Sequence, residues 1–282
     1  MPRRNNADRL KPPKEDTSPV ATNTPEDLFS FVNPTEFVTL PSEGRFYPSD
    51  HPLHNVDTIE IRHMTAKEED ILTSEALLKK GVAINRMIDS VLVDKTVRVR
   101  DLLLGDKNAI LIAARISGFG PLYEVDTVCP ACKDSSSMVF NLDEMKANEL
   151  PKKPKGITLL DNGLFAVTLP KSKVTVTLRL LTTGDEEKLI KTAEMKKKVK
   201  KHTSGLTDLL KSIIVSANDH EDRETLDKFV EMMPLPDVSY LRKCYEQVKP
   251  DMDVKFDFEC PACDHVGKVV MPMTADFFWP DR

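Results

Sequence analysis

The chain has 282 residues, of which 40% are hydrophobic and 30% charged, and its formal net charge is −5. This length allows one large domain or two ordinary ones, and the composition is sufficient for a packed core. The negative charge argues against a protein dominated by phosphate binding. No apolar run is long enough to span a bilayer, and the N-terminus lacks the apolar segment of a secretory signal. We therefore expect no membrane insertion and a reducing cytosol, in which disulfides are rare.

The first segment, residues 1–36, is rich in Pro, Asn, Thr, Ser and charged residues and has few apolar anchors before Leu28. This composition predicts an N-terminal arm that is disordered or becomes ordered on a partner. The residues from Phe37 to Pro48 combine apolar side chains with Pro and Gly. They indicate either an extended segment lying against a surface or an ordinary first strand of the domain.

A strand followed by a capped helix is predicted at residues 59–72. Thr65 offers an N-cap, and Glu68 three residues later completes a capping-box pattern. Residues 176–189 repeat this segment at an offset of 117 (179 − 62 = 117). The repeat matches Arg62 with Arg179, Thr65 with Thr182, Glu69 with Glu186 and Leu72 with Leu189.

The similarity between the two halves continues through two further predicted helices. Residues 83–92 and 205–214 both carry apolar residues at helical spacing. From Gly105 the halves align without a gap at an offset of 131 (260 − 129 = 131), and Asp106 meets Asp237, each able to cap a following helix. We predict an α+β fold built by internal duplication of a strand–helices–hairpin unit, with the two halves related by approximate two-fold symmetry.

This alignment divides the chain beyond its arm into three segments. The first repeat covers residues 37–145, a linker and a β-hairpin cover residues 146–172, and the second repeat covers residues 173–282. The central Asp161-Asn162-Gly163 is typical of a hairpin turn. The larger second offset implies insertions in the second repeat, one of them a polar loop near residues 218–223.

One tetrapeptide occurs twice at equivalent places, as Cys129-Pro130-Ala131-Cys132 and as Cys260-Pro261-Ala262-Cys263. Alternating segments on both sides of each copy predict a β-hairpin. A Cys-x-x-Cys pair brings two thiolates around one metal ion, and two such pairs complete the closed all-sulfur shell of structural zinc. Disulfides or redox motifs are the alternative interpretation, which a reducing cytosol disfavours.

One Cys pair supplies only two thiolates, and half-coordinated zinc is unfavourable in water. We therefore predict that Cys129, Cys132, Cys260 and Cys263 share one structural zinc ion per chain and tie the two halves together. Lys133 and Asp264 stand where many zinc-ribbon turns have Gly, which leaves the form of the turn open. His265 could replace a ligand, but its place two residues beyond Cys263 favours an exposed position.

No catalytic constellation is recognisable in the sequence. It contains no Walker loop, dinucleotide glycine fingerprint, Gly-x-Ser-x-Gly elbow or His-Glu-x-x-His motif. The fifth cysteine, Cys244, aligns with Ala113 and is interpreted as a small buried residue. The remaining histidines show no metal or triad spacing. We expect neither an enzyme nor a small-molecule substrate.

Nucleic-acid binding is also disfavoured. The basic run KTAEMKKKVKK at residues 191–201 is typical of a solvated helix face and lacks interleaved aromatic residues. Acidic residues surround both Cys pairs, where a nucleic-acid-binding ribbon would present Lys and Arg. Near the C-terminus, Phe277, Phe278 and the single Trp279 either pack into their own domain or anchor a partner, and we favour packing.

Several of these motifs together resemble a known family. They are Leu40-Pro41-Ser42-x-Gly44-x-x-Tyr47, then Ile59-x-Ile61-Arg62-x-Met64-Thr65-x-x-Glu68-Glu69-Asp70-Ile71-Leu72, then Leu104-Gly105-Asp106-Lys107-Asn108-Ala109-Ile110 and the Cys-Pro-x-Cys turn. The pattern is similar to that of the baseplate protein family of T-even-type contractile-tailed bacteriophages. The resemblance covers residues 37–145 well and the second half more loosely.

This resemblance implies a non-enzymatic role in building the central hub of the tail baseplate, either as a hub subunit or as a hub assembly factor. Its partners would be other baseplate hub proteins. Its location would be the host cytoplasm during assembly and the virion tail baseplate if it stays in the particle. The alternative function is a zinc-ribbon accessory or regulatory protein that binds nucleic acid.

Overall fold

The computed structural model describes residues 33–151, 153–198, 205–271, 273 and 275–278. Within these ranges the chain has a mixed α+β fold. The α+β class is therefore confirmed. The predicted N-terminal arm lies almost entirely outside the described residues, as do Trp279 and the last three residues of the basic run.

The strands of the described ranges form three two-stranded antiparallel sheets and one sheet of four strands. In chain order they are β1 Thr35–Thr39, β2 Thr58–Arg62, β3 Leu122–Val128, β4 Ser135–Asn141, β5 Ile157–Leu159, β6 Leu164–Thr168, β7 Thr175–Arg179, β8 Ile214–Ala217, β9 Lys255–Glu259 and β10 Val266–Val270. β1 pairs with β2, β3 with β4, and β9 with β10, whereas the larger sheet has the order β5-β6-β7-β8. The predicted hairpin around Asn162 is confirmed as β5 and β6.

Eight α-helices lie within the described part of the chain. They are α1 Ala66–Thr73, α2 Glu75–Lys79, α3 Ala83–Val91, α4 Leu104–Phe119, α5 Thr183–Lys198, α6 Gly205–Ile213, α7 Arg223–Met232 and α8 Leu235–Val248. Short 3-10 turns occur at Val99–Asp101, Leu142–Glu144, Asp161–Gly163 and Ala275–Phe278. None of these helices combines the length and the apolar character that a membrane crossing requires.

Residues from both halves of the chain enter one hydrophobic core. In α4, Ile110 is fully buried, and in α8, Leu241 is fully buried as well. The backbone also connects the halves, since the N–H of Thr183 at the start of α5 donates to the carbonyl oxygen of Leu102 at 2.8 Å. The two segments predicted as repeats are therefore packed against each other.

The expected capping box at the start of α1 is confirmed. The N–H of Thr65 donates to Oε2 of Glu68 at 2.9 Å. The start of the domain is an ordinary strand, β1, followed by tight turns, so the second of the two interpretations of this region is the correct one. The insertion near residues 218–223 is more than a polar loop, because it connects β8 to an additional helix, α7.

The interpretation of Asp106 and Asp237 as helix caps was wrong. Both carboxylates are fully buried inside the first turn of their helices, and each binds the turn that follows a strand. Asp106 accepts hydrogen bonds from the N–H of Ser42 at 3.0 Å and from the hydroxyl of Tyr47 at 2.7 Å. Asp237 accepts the N–H of Lys171 at 2.7 Å. A buried carboxylate needs hydrogen-bond donors inside the protein. Here the distant turn supplies them, so each aspartate binds that turn and does not cap its helix.

Candidate metal centre

Each Cys-x-x-Cys pair lies in the turn of a β-hairpin. The first turn connects β3 to β4 and begins with Cys129, whose N–H donates to the carbonyl oxygen of Asp134 at 2.8 Å. The N–H of Lys133 then donates to the carbonyl oxygen of Cys129 at 3.0 Å. These two bonds close the turn tightly and direct the cysteine side chains to its end.

The second turn, between β9 and β10, makes the same two hydrogen bonds. The N–H of Cys260 donates to the carbonyl oxygen of His265, and the N–H of Asp264 donates to that of Cys260, both at 3.0 Å. Lys133 has φ 67 and Asp264 has φ 52. Both residues thus have the left-handed backbone that glycine normally supplies in such turns. The departure from Gly noted in the sequence therefore does not change the form of the turn.

The two turns meet, so that four sulfur atoms from distant parts of the chain come together. The ligand atoms of Cys129, Cys132, Cys260 and Cys263 all lie within 4.8 Å of one another. The Sγ atoms of Cys129 and Cys263 are 3.8 Å apart, and those of Cys132 and Cys260 are 3.6 Å apart. Four thiolates about 2.3 Å from a central ion at tetrahedral angles would be about 3.8 Å from each other. A disulfide would require about 2.05 Å. The cluster therefore fits a tetrahedral metal ion.

The electrostatics of the cluster also favour a cation. Desolvation raises the pKa of the Cys129 thiol, but hydrogen bonds from the backbone N–H groups of Cys132 and Ala131 outweigh it and lower that pKa to about 6. For Cys263, the backbone N–H of His265 lowers the pKa, whereas the neighbouring thiols outweigh it and raise the pKa to about 12. Four thiolates at this spacing repel each other strongly, so full ionisation requires a positive ion among them.

Apolar contacts between the hairpins hold the cluster in place. Cys129 and Cys260 form a small buried cluster with Phe258, and Met138 and Val269 pack against it. Further from the turns, the rings of Phe140 and Phe256 stack with centroids 4.2 Å apart. The inner faces of the two hairpins are therefore in contact both next to the cysteines and further from the turns.

The base of the two hairpins is joined by backbone hydrogen bonds. The N–H of Asn148 donates to the carbonyl oxygen of Asp251 at 2.9 Å, and the N–H of Asp253 donates to that of Lys146 at 2.8 Å. The side chain of Asn108, in α4, donates to Asp251 at 2.9 Å. These contacts anchor both hairpins to the helical body, so that the four cysteines lie at the far end of a supported structure.

The other candidate residues do not join this cluster. Cys244 is only 1% exposed and lies in the main core, as predicted for a small buried residue. The ring of His51 stacks on Tyr47 with centroids 4.3 Å apart. His265 contributes its backbone carbonyl to the second turn, and the group of metal-ligating side chains found in the described residues consists of the four cysteines.

Sequence reasoning missed two arginine–carboxylate pairs at the starts of α1 and α5. Arg62 binds Glu68 with a shortest distance of 2.6 Å, and Arg179 binds Asp185 at 2.6 Å. Desolvation raises the pKa of Glu68, but hydrogen bonds from Arg62, Ser90 and Thr65 outweigh it and lower the pKa to about 2. The available signal was an arginine six residues before a carboxylate in both halves.

A family model described as T4 bacteriophage base plate protein matches residues 33–279. No curated protein and no solved structure matches the chain. The matched range includes both hairpins and all four clustered cysteines.

Proposed function

Because the chain belongs to the family of T4-type bacteriophage baseplate proteins, we propose that it is a non-enzymatic component of the baseplate hub or a factor that assembles the hub. It works by binding other phage proteins of the hub. It is made in the host cytoplasm, where assembly takes place, and the baseplate of the virion tail is its final location if it remains in the particle.

The observation that carries this proposal is the extent of the family match. It spans residues 33–279, which include every residue that the structure describes. The sequence motifs that resemble the baseplate family lie mainly in residues 37–145, and this segment shares its core with the second half. The family match therefore applies to the whole part of the chain that the structure describes.

The chemistry of the buried charged groups supports a structural role. Glu68 is held by Arg62, Ser90 and Thr65, and Asp106 is held by Ser42 and Tyr47. Each of these carboxylates therefore already has its full set of partners inside the fold. Such groups fix loops and helix starts, whereas a catalytic acid or base needs a free face toward a substrate.

We propose that the metal of the cysteine cluster is a single zinc ion per chain, bound by Cys129, Cys132, Cys260 and Cys263. An all-thiolate tetrahedral set is typical of structural zinc, and a closed set leaves no position for a substrate. In this role the ion would supply cross-linking only. The hydrogen bonds of the two turns, the apolar contacts of Phe258, Met138 and Val269, and the hydrogen bonds at the base of the hairpins would orient the ligands.

The predicted duplication is supported by contacts that recur in both halves. Arg62 pairs with Glu68, and Arg179 pairs with Asp185 at the same spacing in the second half. The buried aspartates of α4 and α8 and the two Cys turns also recur. We propose that the halves arose from one unit and are related by approximate two-fold symmetry.

A stop codon in the gene of this protein tests the proposed role. Under non-suppressing conditions, we expect infected cells to accumulate tail proteins without completed baseplates. Complementation with the intact gene should restore the baseplates. Normal tails in the absence of the protein would overturn the proposal. Mass spectrometry of purified tails then separates the two forms of it, because a hub subunit is present in fixed ratio and an assembly factor is absent.

Binding of nucleic acid is the competing function, and the acidic residues around the turns argue against it. Asp134 and Asp264 lie within the turns themselves, and Asp126, Asp257 and Glu259 lie on the strands that lead into them. Tight binding to duplex or single-stranded DNA that weakens steeply with salt would favour this competing function.

A further inference from the structure

An open groove of about 580 Å³ lies between the two hairpins. β4 contributes the consecutive residues 138–141 and β9 contributes residues 255–257. Since successive side chains of a strand point to opposite faces, lining by consecutive residues means that the backbone edges of both strands border the groove. The groove is therefore a gap between two sheet edges.

The hydrogen bonds at the ends of each hairpin identify the backbone groups that face this gap. In the first hairpin, Cys129 bonds to Asp134 and the N–H of Leu142 donates to the carbonyl oxygen of Pro121 at 2.9 Å. In an antiparallel pair, bonded and non-bonded residue pairs alternate. This alternation, followed along the register from either end of the hairpin, makes Phe140 a residue whose backbone is hydrogen-bonded to β3. Its neighbour Val139 therefore directs its N–H and C=O away from β3.

The same count applies to the second hairpin. Cys260 bonds to His265, and the N–H of Met271 donates to the carbonyl oxygen of Val254 at 2.9 Å. Phe256 is therefore bonded to β10, whereas Asp257 directs its N–H and C=O away from β10 and toward the groove. Within the part of the chain that the structure describes, β4 pairs only with β3, and β9 pairs only with β10.

We propose that this groove is the docking site for an extended segment of a partner protein, which adds a β-strand to the free edges of β4 and β9. This proposal deepens the role of protein recognition proposed above, since a hub partner would supply the segment. An extended backbone is the occupant that matches such edges, because it offers N–H and C=O groups in a row at the strand repeat.

The side chains of the groove specify the pattern of the partner segment. Met138, Phe140 and Phe256 belong to the inner, partly or fully buried faces of the strands and form an apolar floor. The rim is charged, with Glu144, Lys146, Asp253, Lys255 and Asp257. A matching segment therefore carries apolar residues at alternate positions, directed to the floor, and polar residues between them.

Selection from a yeast-displayed library of random nonapeptides tests this proposal on the full chain. Peptides that bind should share apolar residues at every second position. Val139→Pro removes the N–H that faces the groove, and proline is tolerated at a strand edge whose N–H is unpaired in the fold. We expect this variant to bind a selected peptide about tenfold more weakly, which corresponds to the loss of one hydrogen bond.

Lys268→Pro is the matched control. Lys268 lies on β10, and the register directs its N–H away from β9, on the far edge of the second hairpin. This variant should bind the peptide like the unmodified protein. If Val139→Pro does not fold, amide exchange of the unmodified protein replaces it, and the peptide should slow exchange at Val139 and Asp257.

Four results would overturn the proposal. They are a library that yields no binder, binding that Val139→Pro and Lys268→Pro weaken equally, unchanged amide exchange at both residues, and a dimer in sedimentation that Val139→Pro dissociates. The last result would identify a second copy of the chain as the occupant. None of them depends on the stop-codon experiment, so the groove and the hub role can fail separately.

Discussion

The Sγ atom of Cys132 lies 3.6 Å from the Sγ atom of Cys260, although the two residues are 128 positions apart in the sequence. Their meeting closes a long loop of chain, and a metal ion between them would link the two halves. Because a preformed set of four thiolates does not exist in the unfolded chain, the free energy of metal binding adds directly to the stability of the fold.

Replacing Cys132 with Ser should remove the metal. Loss of a partner in the outer shell of a metal site weakens metal binding roughly 10–100-fold. Loss of one of the four direct ligands should weaken zinc binding by more than that. Elemental analysis should show about one zinc per chain in the unmodified protein and a ratio near zero in the variant. Thermal unfolding should shift to lower temperature, and a strong chelator should shift the unmodified protein in the same direction.

Cys244→Ala controls for the loss of a cysteine as such. Cys244 is buried in the main core and lies outside the metal cluster, so this variant should keep its zinc even if its melting temperature falls. Equal zinc content in Cys132→Ser and the unmodified protein would contradict the shared site.

Lys133→Gly should stabilise the protein. Lys133 has φ 67, and a side chain in this left-handed conformation costs about 1–2 kcal/mol. Glycine removes that strain but loses about 0.5–1 kcal/mol through the freedom of the unfolded chain. The free energy of unfolding, measured with denaturant on the zinc-loaded protein, should rise by up to about 1 kcal/mol.

Two comparisons make this result specific. Lys133→Ala keeps the Cβ atom and should give no such gain. Asp264→Gly should gain less than Lys133→Gly, because Asp tolerates the left-handed region better than Lys. A gain for Lys133→Ala equal to that for Lys133→Gly would show that the lysine side chain, and not backbone strain, is the cause.

The cysteine cluster was predictable because the pattern that indicates it is local. A Cys-x-x-Cys pair in a hairpin turn is recognisable in a few residues, and the offset of 131 placed both copies at equivalent positions. The capping box of Thr65 and Glu68 is local in the same way. The sequence could not give the distance between the two turns, since that depends on the packing of the hairpins.

The roles of Asp106 and Asp237 were missed because their partners are distant. Ser42 is 64 positions from Asp106, and Lys171 is 66 positions from Asp237. A signal does exist, since Val38-Thr39-Leu40-Pro41 recurs as Val167-Thr168-Leu169-Pro170 just before each bound turn. The repeat indicates that the turns are equivalent, but only the folded chain shows which carboxylate each turn binds.

Glu68→Gln should destabilise the protein and change its response to acid. The pKa of Glu68 is lowered from 4.5 to about 2 in the fold, and its side chain is 0% exposed. Between these values the unfolded chain binds more protons than the folded one. The stabilisation is therefore complete above pH 4.5 and is lost as the pH falls toward 2. It amounts to about 3 kcal/mol.

Denaturant unfolding at several pH values measures this effect. At pH 7 the Glu68→Gln variant should lose about 2–3 kcal/mol, and its stability should fall less steeply in acid than that of the unmodified protein. Glu75→Gln is the control, because Glu75 forms an exposed surface pair with Lys79 and should cost less than about 1 kcal/mol. An unchanged slope in acid for Glu68→Gln would mean that other carboxylates dominate acid unfolding.

Gly105→Ala tests the close contact between the two halves at the base of the hairpins. Gly105 lies in the first turn of α4, and a Cβ atom there would overlap the carbonyl group of Pro250, at the end of α8. Backbone cannot move aside as a flexible side chain can, so the substitution should cost about 1–3 kcal/mol. Gly205→Ala at the start of α6 is the matched control, since no atom of the residues that the structure describes lies within 4 Å of an added Cβ there. The control should be neutral or slightly stabilising, because alanine favours helix over glycine. Equal stability of the two variants in denaturant unfolding would show that the start of α4 does not pack tightly against the end of α8.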